Sequence, residues 1–505
     1  MKIPSSAYIS TYNDVTKDNL ESYFLDFLPK LKKASHMAID FEFTGLARPR
    51  STDMNHRYLT MKKVIEEHSI VSFGVSIMKR IDADDEKNEL DDDCNNSSNG
   101  NKKFSSSQPI ITSDYATIER KNNESEKACS LNDTCITKSV PIAEEPKHSQ
   151  TYECDNYNFL TLKEGPLLFS TGNAQFLAES GFSFDKLIHE GIPFIPPGDV
   201  IRRENEREES NDTMTGVVAT TTVRDTKLFQ LWKAILGILK YNNIPLILHN
   251  GLHDLMYLYH SFIGKLPNTL SGFIHSISNH FPSGIYDTKY LAYELNFNAT
   301  FLSYVFAKAD RLRQNRFMKS TKEEPYFEVI VNKPIEPIRL TKSVSSSNTN
   351  NIVPTATITI TNSQKKRKGS IDSLPTTFNK KNNKKKIKNS TICKSYAAKG
   401  WCELEKTGHS EHHKYSKLHD IQYVLDWEMG NSEYPQVYTS NLKQGNTIEG
   451  AHSAHFDAYM TAFSFCYFIH TIPSDTLKES INKIKLDFMP YPLRFPLKIN
   501  ESNKS

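Results

Sequence analysis

The stretch Met37–Gly45, Met-Ala-Ile-Asp-Phe-Glu-Phe-Thr-Gly, carries the strongest structural signal in this sequence. Apolar residues at every second position predict a β-strand, on which Asp40 and Glu42 point to the same face. Two adjacent carboxylates repel each other unless a proton or a cation lies between them. Oxygen ligands of this charge suit Mg²⁺ or Mn²⁺. The alternative is the exposed face of an edge strand, and further carboxylates elsewhere in the chain decide between the two.

Length and composition limit the class of protein. The chain has 505 residues, a formal net charge of +3, 24% charged residues and a mean hydropathy of −0.53, and its length alone predicts about two to four domains. Seven cysteines, an odd number scattered along the chain, argue against a secreted disulfide framework. The first residues lack an apolar signal-peptide core, and the sequence contains no run of about 18 apolar residues. We therefore expect a soluble protein of a reducing compartment.

Regular elements are predicted on both sides of the motif strand, which spans residues 36–43. Apolar residues from Leu20 to Leu31 recur at helical spacing and predict an amphipathic helix. The alternating residues of Ile70–Met78 predict a second, hairpin-like neighbouring strand. The polar connection from Arg48 to Arg57 either reaches a substrate or is simply solvated.

Composition divides the chain into folded and low-complexity parts. An acidic and polar insertion at 81–150 and a Ser-, Asn- and Lys-rich linker at 313–392 lack the apolar residues of a core and predict disorder. The remaining segments are three parts of one core at 1–80, 151–312 and 421–492, a small module at 393–420, and a tail at 493–505.

Two basic clusters lie in the predicted linker. The first consists of Lys365, Lys366, Arg367 and Lys368, and the second lies within residues 380–388. Such runs serve nuclear import or bind phosphates. The alternative is a linker that is merely solvated.

A further acidic position follows a strand predicted at Ile244–Leu248. The sequence His-Asn-Gly-Leu-His-Asp leads from this strand into a buried helix, so that Asp254 lies in the first turn, where a helix N-terminus favours an anion. An acid at a strand–turn–helix junction is typical of sites in open α/β sheets; a helix cap is the alternative. Asp287 precedes an apolar helix near Tyr290–Leu295 and is predicted to be an N-cap, with a substrate role as its alternative.

The last acidic position lies at the start of a long apolar helix. Asp457 is early in this helix, and His452 is expected on the loop before it, because residues five apart do not share a helical face. His455 is expected to be a lone surface histidine. Four carboxylates that converge on two divalent cations are typical of in-line phosphodiester hydrolysis, in which a histidine takes the proton of the attacking water. The four candidates are Asp40, Glu42, Asp254 and Asp457.

Thiol and imidazole groups concentrate in the small module at 393–420. A segment this short cannot build a hydrophobic core, so that a structural zinc ion is predicted. The candidate zinc ligands are Cys393, Cys402, His409, His412, His413 and His419.

Three motifs resemble those of the DEDDh-type deadenylase family: Asp-Phe-Glu-Phe-Thr-Gly, His-Asn-Gly-Leu-His-Asp, and a histidine followed after four residues by Asp457. The resemblance covers roughly residues 1–79, 151–310 and 393–475. It implies a ribonuclease H-like α/β fold, in which a mixed sheet is flanked by helices. The zinc-binding module and the disordered segments are then insertions into this fold. It also implies that the four acids hold Mg²⁺ or Mn²⁺ and that His452 is the general base.

The zinc module departs from the pattern of three cysteines and one histidine that the family implies. Gly408 occupies the position of the third cysteine, and His409 or His413 can replace the missing thiolate. His412 has the spacing of the terminal ligand, whereas His419, followed by Asp and Ile, resembles the terminal ligand in its local sequence. The ligand set therefore stays open.

The resemblance implies a metal-dependent 3′-to-5′ exoribonuclease that removes 3′ adenosines from small nuclear RNAs and releases 5′-AMP. Its implied partners are single-stranded RNA 3′ ends. The basic clusters add a nuclear import receptor as an expected partner and the nucleus as the expected location. Two alternatives remain, namely an RNA-binding protein of the same fold that does not cleave RNA, and a DNA exonuclease with the same acids. The preference for RNA rests on the family alone, because recognition of the 2′-hydroxyl leaves no readable motif.

Overall fold

The structure is a computed structural model that describes residues 11–81, 150–199, 226–319, 327–335, 394–400, 421–430, 453–487 and 489–496. In this described part of the chain the strands form one ten-stranded mixed sheet, with helices packed on both faces. The expected class, an α/β fold with a mixed sheet flanked by helices, is confirmed.

The described strands are short at the edges of the sheet and long in its centre. They are β1 (Asn13–Val15), β2 (His36–Phe43), β3 (Ile70–Ile81), β4 (Gln150–Lys163), β5 (Ile192–Phe194), β6 (Leu246–Leu248), β7 (Ile285–Asp287), β8 (Phe327–Val331), β9 (Lys483–Ile484) and β10 (Leu493–Arg494). Their order is β1-β4-β3-β2-β6-β7-β9-β10, and β5 and β8 also pair with β4.

The described helices alternate with the strands along much of the chain. They are α1 (Leu20–Lys32), α2 (Met54–Glu67), α3 (Thr171–Glu179), α4 (Phe184–Glu190), α5 (Lys227–Tyr241), α6 (Leu252–Leu258), α7 (Leu270–His280), α8 (Thr288–Glu294), α9 (Leu302–Lys319), α10 (Lys394–Lys399), α11 (Ile421–Met429), α12 (Ala454–Thr471) and α13 (Ser474–Glu479). A π-helical turn, Tyr259–Ile263, continues α6.

The centre of the sheet brings three strand ends together. Strand β2 pairs antiparallel with β3 and parallel with β6, and β6 pairs parallel with β7. The carboxyl ends of β2, β6 and β7 therefore meet at one edge, which is where open α/β sheets place their sites.

The alternation of β2 separates two cores. Ile39 and Phe41 belong to the core under α1, α2 and α5, whereas Ala38 belongs to the core under α9 and α12. Because successive side chains of a strand point to opposite faces, Asp40 and Glu42 lie on the face of Ala38, which α12 covers. The motif strand was predicted with its observed bounds, and β2 is a central strand rather than an edge strand.

One predicted connection is more ordered than expected. Strands β2 and β3 are neighbours, as predicted, but the helix α2 joins them instead of a hairpin. Its first turn is capped by the side chain of Asp53, and its buried residues Tyr58, Met61 and Ile65 recur at helical spacing. The sequence analysis did not predict this helix, because most of the residues between these three are polar.

The predicted linker at 313–392 is wrong at its beginning. Helix α9 runs on to Lys319, and strand β8 pairs parallel with β4. The Arg313 side chain is 1% exposed and lies 2.9 Å from an oxygen of Asp310. Because the two charges pair, this polar residue is buried in the fold, where its composition alone predicted a linker. The remaining residues of the predicted linker that carry the two basic clusters lie outside the described part.

The predicted tail also begins inside the fold. Strand β10 pairs antiparallel with β9, and Phe495 is 4% exposed in the core. The acidic insertion, in contrast, is bracketed closely, because Ile81 at the end of β3 pairs with Thr151 near the start of β4. The insertion itself lies outside the described residues.

Two further observations bear on the expected class. Cys154 and Cys466, the cysteines within the described part, are free and buried. None of the described helices has both the length and the apolar content that are needed to cross a bilayer.

Candidate active site

Two of the predicted acids lie on one central strand. Asp40 and Glu42 are two residues apart on β2, and Asp40 pairs across the ladder with Gly74 of β3. Because β3 and β6 flank this strand, its carboxylates are partly buried beneath α12 instead of lying on an open face. The alternative of an exposed edge strand is therefore excluded.

The first turn of α12 brings a third acid to this pair. Ligand oxygens of Asp40, Glu42 and Asp457 all lie within 4.8 Å of one another. The approach depends on Gly74, because a Cβ atom there would lie 2.0 Å from the backbone oxygen of Ala454. Sequence reasoning missed this residue, although a glycine inside an alternating strand signals a close backbone approach.

The fourth acid, Asp254, lies beside this trio but outside it. Its side chain is 7% exposed in the first turn of α6, and the backbone amide of Phe41 donates a hydrogen bond to it. The turn before it needs Asn250 in the left-handed region at φ 59°. It also needs Gly251, where a Cβ atom would lie 2.5 Å from Leu248.

Burial and mutual repulsion make these carboxyl groups weak acids. Burial, followed by the charges of Asp457 and Asp254, raises the pKa of Asp40 and of Glu42 well above the usual range. Burial likewise raises the pKa of Asp254 to about 7. Such a cluster stays charged only with a cation at its centre, and its all-oxygen donor set fits Mg²⁺ or Mn²⁺.

Asp287 is a structural acid, and its N-cap prediction is confirmed. Its Oδ1 oxygen accepts hydrogen bonds from the backbone amides of Lys289 and Tyr290 at the start of α8. The same oxygen accepts one from Asn250, and Oδ2 accepts one from Lys485. Fully buried, this carboxylate joins the turn before α6, the start of α8 and the chain after β9.

His455 is not the surface residue that was expected. It is 4% exposed and stacks on Tyr12, with ring centroids 3.6 Å apart. Both rings line a cavity of about 450 Å³ next to Glu42. Burial lowers the pKa of His455 to about 3, so that the ring is neutral. The first turn of α12 lies against the sheet, which buries this position.

A cavity of about 460 Å³ at Asp40 and Asp457 is hereafter called the cleft. Arg48, Arg50 and Arg57 line it together with these two acids. The loop that carries the first two arginines is held to α6, because Nε2 of His253 lies 2.7 Å from the Ala47 oxygen and the hydroxyl of Tyr257 donates to the Gly45 oxygen. The connection 48–57 therefore borders the cleft, and its residues Arg48 and Arg50 are also exposed to solvent.

Other predicted site residues fall outside the described part of the chain. His452, the expected general base, immediately precedes the N-cap Ser453 of α12 in sequence. The zinc candidates and the first basic cluster are also outside: Cys393, Cys402, His409, His412, His413, His419, Lys365, Lys366, Arg367 and Lys368.

Solved structures similar to this chain include ribonuclease domains. The yeast NOT1 MIF4G domain co-crystallised with CAF1 gives 16% identity over 62% of this chain and 81% of the other, with a TM-score of 0.31. The S. pombe Pop2p structure with bound Mg²⁺ and Mn²⁺ gives 15% identity over 60% of this chain and 82% of the other, with a TM-score of 0.33.

Two comparisons at the level of sequence also give matches. The Bombyx mori pre-piRNA 3′-exonuclease trimmer is 22% identical over 27% of this chain, and the match spans 40% of the trimmer's length. A family model described as CAF1 family ribonuclease matches residues 15–227 and 198–465, which hold all four acids. The predicted deadenylase-type relationship is thus confirmed at the level of the family, and the chain belongs to the CAF1 family of ribonucleases.

Proposed function

We propose that this protein is a metal-dependent 3′-to-5′ exoribonuclease. The observation that carries the proposal is the trio Asp40, Glu42 and Asp457, whose ligand oxygens lie within 4.8 Å of one another beside the cleft. Membership of the CAF1 family and the similarity to a 3′-exonuclease trimmer support an activity on RNA ends. The Bombyx mori relative also supports a small RNA as substrate.

Each step of the proposed reaction would involve particular residues of this chain. The trio would hold one divalent cation, and Asp254, with its charge next to Asp40, would help to hold a second. When bound, such cations make the attacking water more acidic and neutralise charge at the scissile phosphate. His452 is proposed to accept the proton of that water from the loop before α12.

The finer specificity follows the family resemblance. We propose that the substrate ends in 3′ adenosines and that the product is 5′-AMP, as in the nuclear member called target of early growth response protein one. A zinc ion held by the candidate cysteines and histidines between 393 and 419, and nuclear import through Lys365–Lys368, belong to the same proposal. Replacing Lys365–Lys368 by alanines would then leave the protein in the cytoplasm.

A gel time course tests the activity. The substrate is RNA with a 5′ label and a 3′ adenosine tail, incubated with Mg²⁺ and with wild-type protein or Asp40→Asn. A uridine-tailed RNA and a DNA copy report specificity. We expect stepwise shortening of the adenosine-tailed RNA by the wild type alone. Retention of RNA in a binding assay without shortening would favour a non-catalytic RNA-binding protein, and shortening of the DNA copy at an equal rate would favour a DNA exonuclease.

A further inference from the structure

A short helix that is remote in sequence packs beside the cleft. Helix α10 (Lys394–Lys399) lies far along the chain from the strands that form the site. Tyr396 on this helix is 4% exposed, and its ring meets that of Phe301 edge-on at 5.2 Å. The backbone amide of Thr300 donates a 2.7 Å hydrogen bond to the Ala397 oxygen. The helix is therefore anchored to the segment that leads into α9.

A buried lysine fixes the end of this helix at the site. Nζ of Lys289, a residue that is 4% exposed, donates a 2.9 Å hydrogen bond to the Ala398 oxygen. The same ammonium group lies 2.7 Å from a carboxylate oxygen of Asp487. Gly400, which follows the helix, has φ 79°, and a Cβ atom built there would lie 3.0 Å from the Phe301 ring. These contacts hold the backbone next to Lys399 beside the cleft.

Basic side chains outnumber acidic ones in the lining of the cleft. Among the described residues, five basic side chains and three carboxylates line it, and two of the three carboxylates are Asp40 and Asp457 of the metal site. Divalent cations at those acids would make the excess of positive charge larger. The five basic residues are Arg48, Arg50, Arg57, Lys289 and Lys399.

The chemistry of an exonuclease substrate says which phosphates these cations can meet. On the proposed function, the scissile phosphate lies at Asp40 and Asp457. Only the terminal nucleoside lies on its 3′ side, and this nucleoside ends in a hydroxyl group. Every further phosphate of the strand therefore lies on the 5′ side, and basic groups beyond the metal site serve that upstream backbone.

We propose that Lys399 binds a phosphate of the RNA strand upstream of the scissile bond, so that α10 forms one wall of the substrate groove. This inference rests on the proposed function. Lys399 lines the cleft together with Asp40 and Asp457, and the contacts of Lys289 with Asp487 and the Ala398 oxygen hold the end of α10 at this place. An ammonium group recognises phosphate as a point charge and does not require a fixed fork geometry.

The test compares Lys399→Ala, Lys399→Arg and the control Lys233→Ala. Lys233 is exposed on α5 and is not among the residues that line the cleft. The long substrate is a 20-nucleotide RNA with a 3′ adenosine tail, and the short one is the dinucleotide ApA, whose single phosphate is the scissile one. Steady-state constants are measured on the long substrate, and single-turnover rates with excess enzyme on ApA.

For Lys399→Ala on the long RNA we expect KM to rise about tenfold with little change in kcat, because a charged hydrogen bond is lost. The slope of log kcat/KM against log salt falls by about 0.7, the value for one phosphate of a single strand. Lys399→Arg restores most of the KM, and Lys233→Ala resembles the wild type. Cleavage of ApA is unchanged in all variants.

Two results would overturn the assignment. An unchanged KM and salt slope for Lys399→Ala on the long RNA would show that no upstream phosphate is bound there. An equal loss on ApA and on the long RNA would show that the residue acts on the structure of the site. Failure of the wild type to shorten either substrate would instead reject the proposed function itself.

Discussion

The Oδ1 oxygen of Asp287 accepts a hydrogen bond from the backbone amide of Asn250 at a distance of 3.0 Å. Asn250 occupies the left-handed region at the start of the turn that leads to Asp254. Burial raises the pKa of Asp287 to about 6, whereas the hydrogen bonds that it accepts from backbone amides favour its charged form. A carboxylate at the end of β7 thereby sets the position of an acid that follows β6.

Asp287→Asn should weaken metal binding more than RNA binding. The amide group keeps one acceptor oxygen but turns an NH₂ group toward a backbone amide that needs an acceptor. We expect Mn²⁺ affinity, measured by calorimetry, to fall about 10- to 100-fold, the range for residues that orient metal ligands, while the KM for RNA stays within twofold.

Asp53→Asn is the matched control for Asp287→Asn. Asp53 also caps a helix, since its side chain accepts a hydrogen bond from the Asn55 amide, but this cap is exposed at the start of α2. Its replacement should leave the Mn²⁺ affinity unchanged. Equal Mn²⁺ affinities for Asp287→Asn and the wild type would show that the turn before Asp254 holds its shape without this carboxylate.

Gly74→Ala should separate the acids. The new Cβ would lie 2.0 Å from the Ala454 oxygen, which is backbone and can move only if the start of α12 moves. We expect a loss of about 1–3 kcal/mol in the free energy of unfolding, as for other overpacked sites. Activity should fall by a larger factor than this stability loss explains, because Asp457 moves away from Asp40.

Denaturant melts and the RNA time course measure the effect of Gly74→Ala, with Gly237→Ala as control. Gly237 lies inside α5, and a Cβ there meets nothing within 4 Å. Its replacement should stabilise the helix by up to about 1 kcal/mol and leave activity unchanged. Wild-type activity in a folded Gly74→Ala protein would contradict the role given to this close approach.

Local pattern predicted the parts of the site that depend on one segment. The alternation around Asp40 and Glu42 predicted β2 with its observed bounds. The helix signals placed Asp254 in a first turn and Asp457 early in its helix, and the structure has both acids in first turns. The contact between Gly74 and Ala454 depends on two segments that are far apart in sequence, so no local pattern predicts that their backbones lie close together.

The errors have a common physical cause. Composition marked β8 and the end of α9 as linker, because it does not register that Arg313 is buried with Asp310 as its partner. His455 was expected at the surface because a single histidine carries no periodic signal, whereas Tyr12 and the sheet bury it. In both cases tertiary contacts reverse the preference of an isolated polar residue.

Divalent cations should stabilise the protein more strongly as the pH rises. The pKa of Asp254 is raised from 3.8 to about 7, so that in this window the folded state binds more protons than the unfolded state. Without metal, stability therefore falls as the pH rises from about 4 to about 7, by up to about 1.4 kcal/mol per unit for one group. Bound Mn²⁺ replaces those protons and removes the loss.

Thermal melts with and without Mn²⁺ at pH 5, 6, 7 and 8 measure this linkage. The rise in Tm on adding Mn²⁺ should grow across the series and should be largely absent in Asp40→Asn. Asp18→Asn, at an exposed acid before α1, should behave as the wild type. A Tm gain that is independent of pH would contradict the raised pKa values of the carboxylate cluster.

His36 should make the fold sensitive to acid. The side chain is 1% exposed at the start of β2, with the Phe465 ring edge-on at 5.1 Å, and burial lowers its pKa from 6.5 to about 3. Between these values the unfolded state takes up a proton that the folded state does not, so that stability falls as the pH falls, by up to about 1.4 kcal/mol per unit.

Denaturant melts of His36→Gln and the wild type between pH 7.5 and 4.5 separate this proton linkage from packing. Glutamine fits the site poorly, so the variant is less stable at pH 7.5, but it cannot be protonated in the unfolded state. The stability difference should therefore narrow below pH 6.5, by up to about 2.7 kcal/mol over two pH units. For His56→Gln, at an exposed position of α2, the difference should stay constant. A constant difference for His36→Gln as well would mean that the folded protein admits a proton at this ring, and that acid sensitivity has another origin.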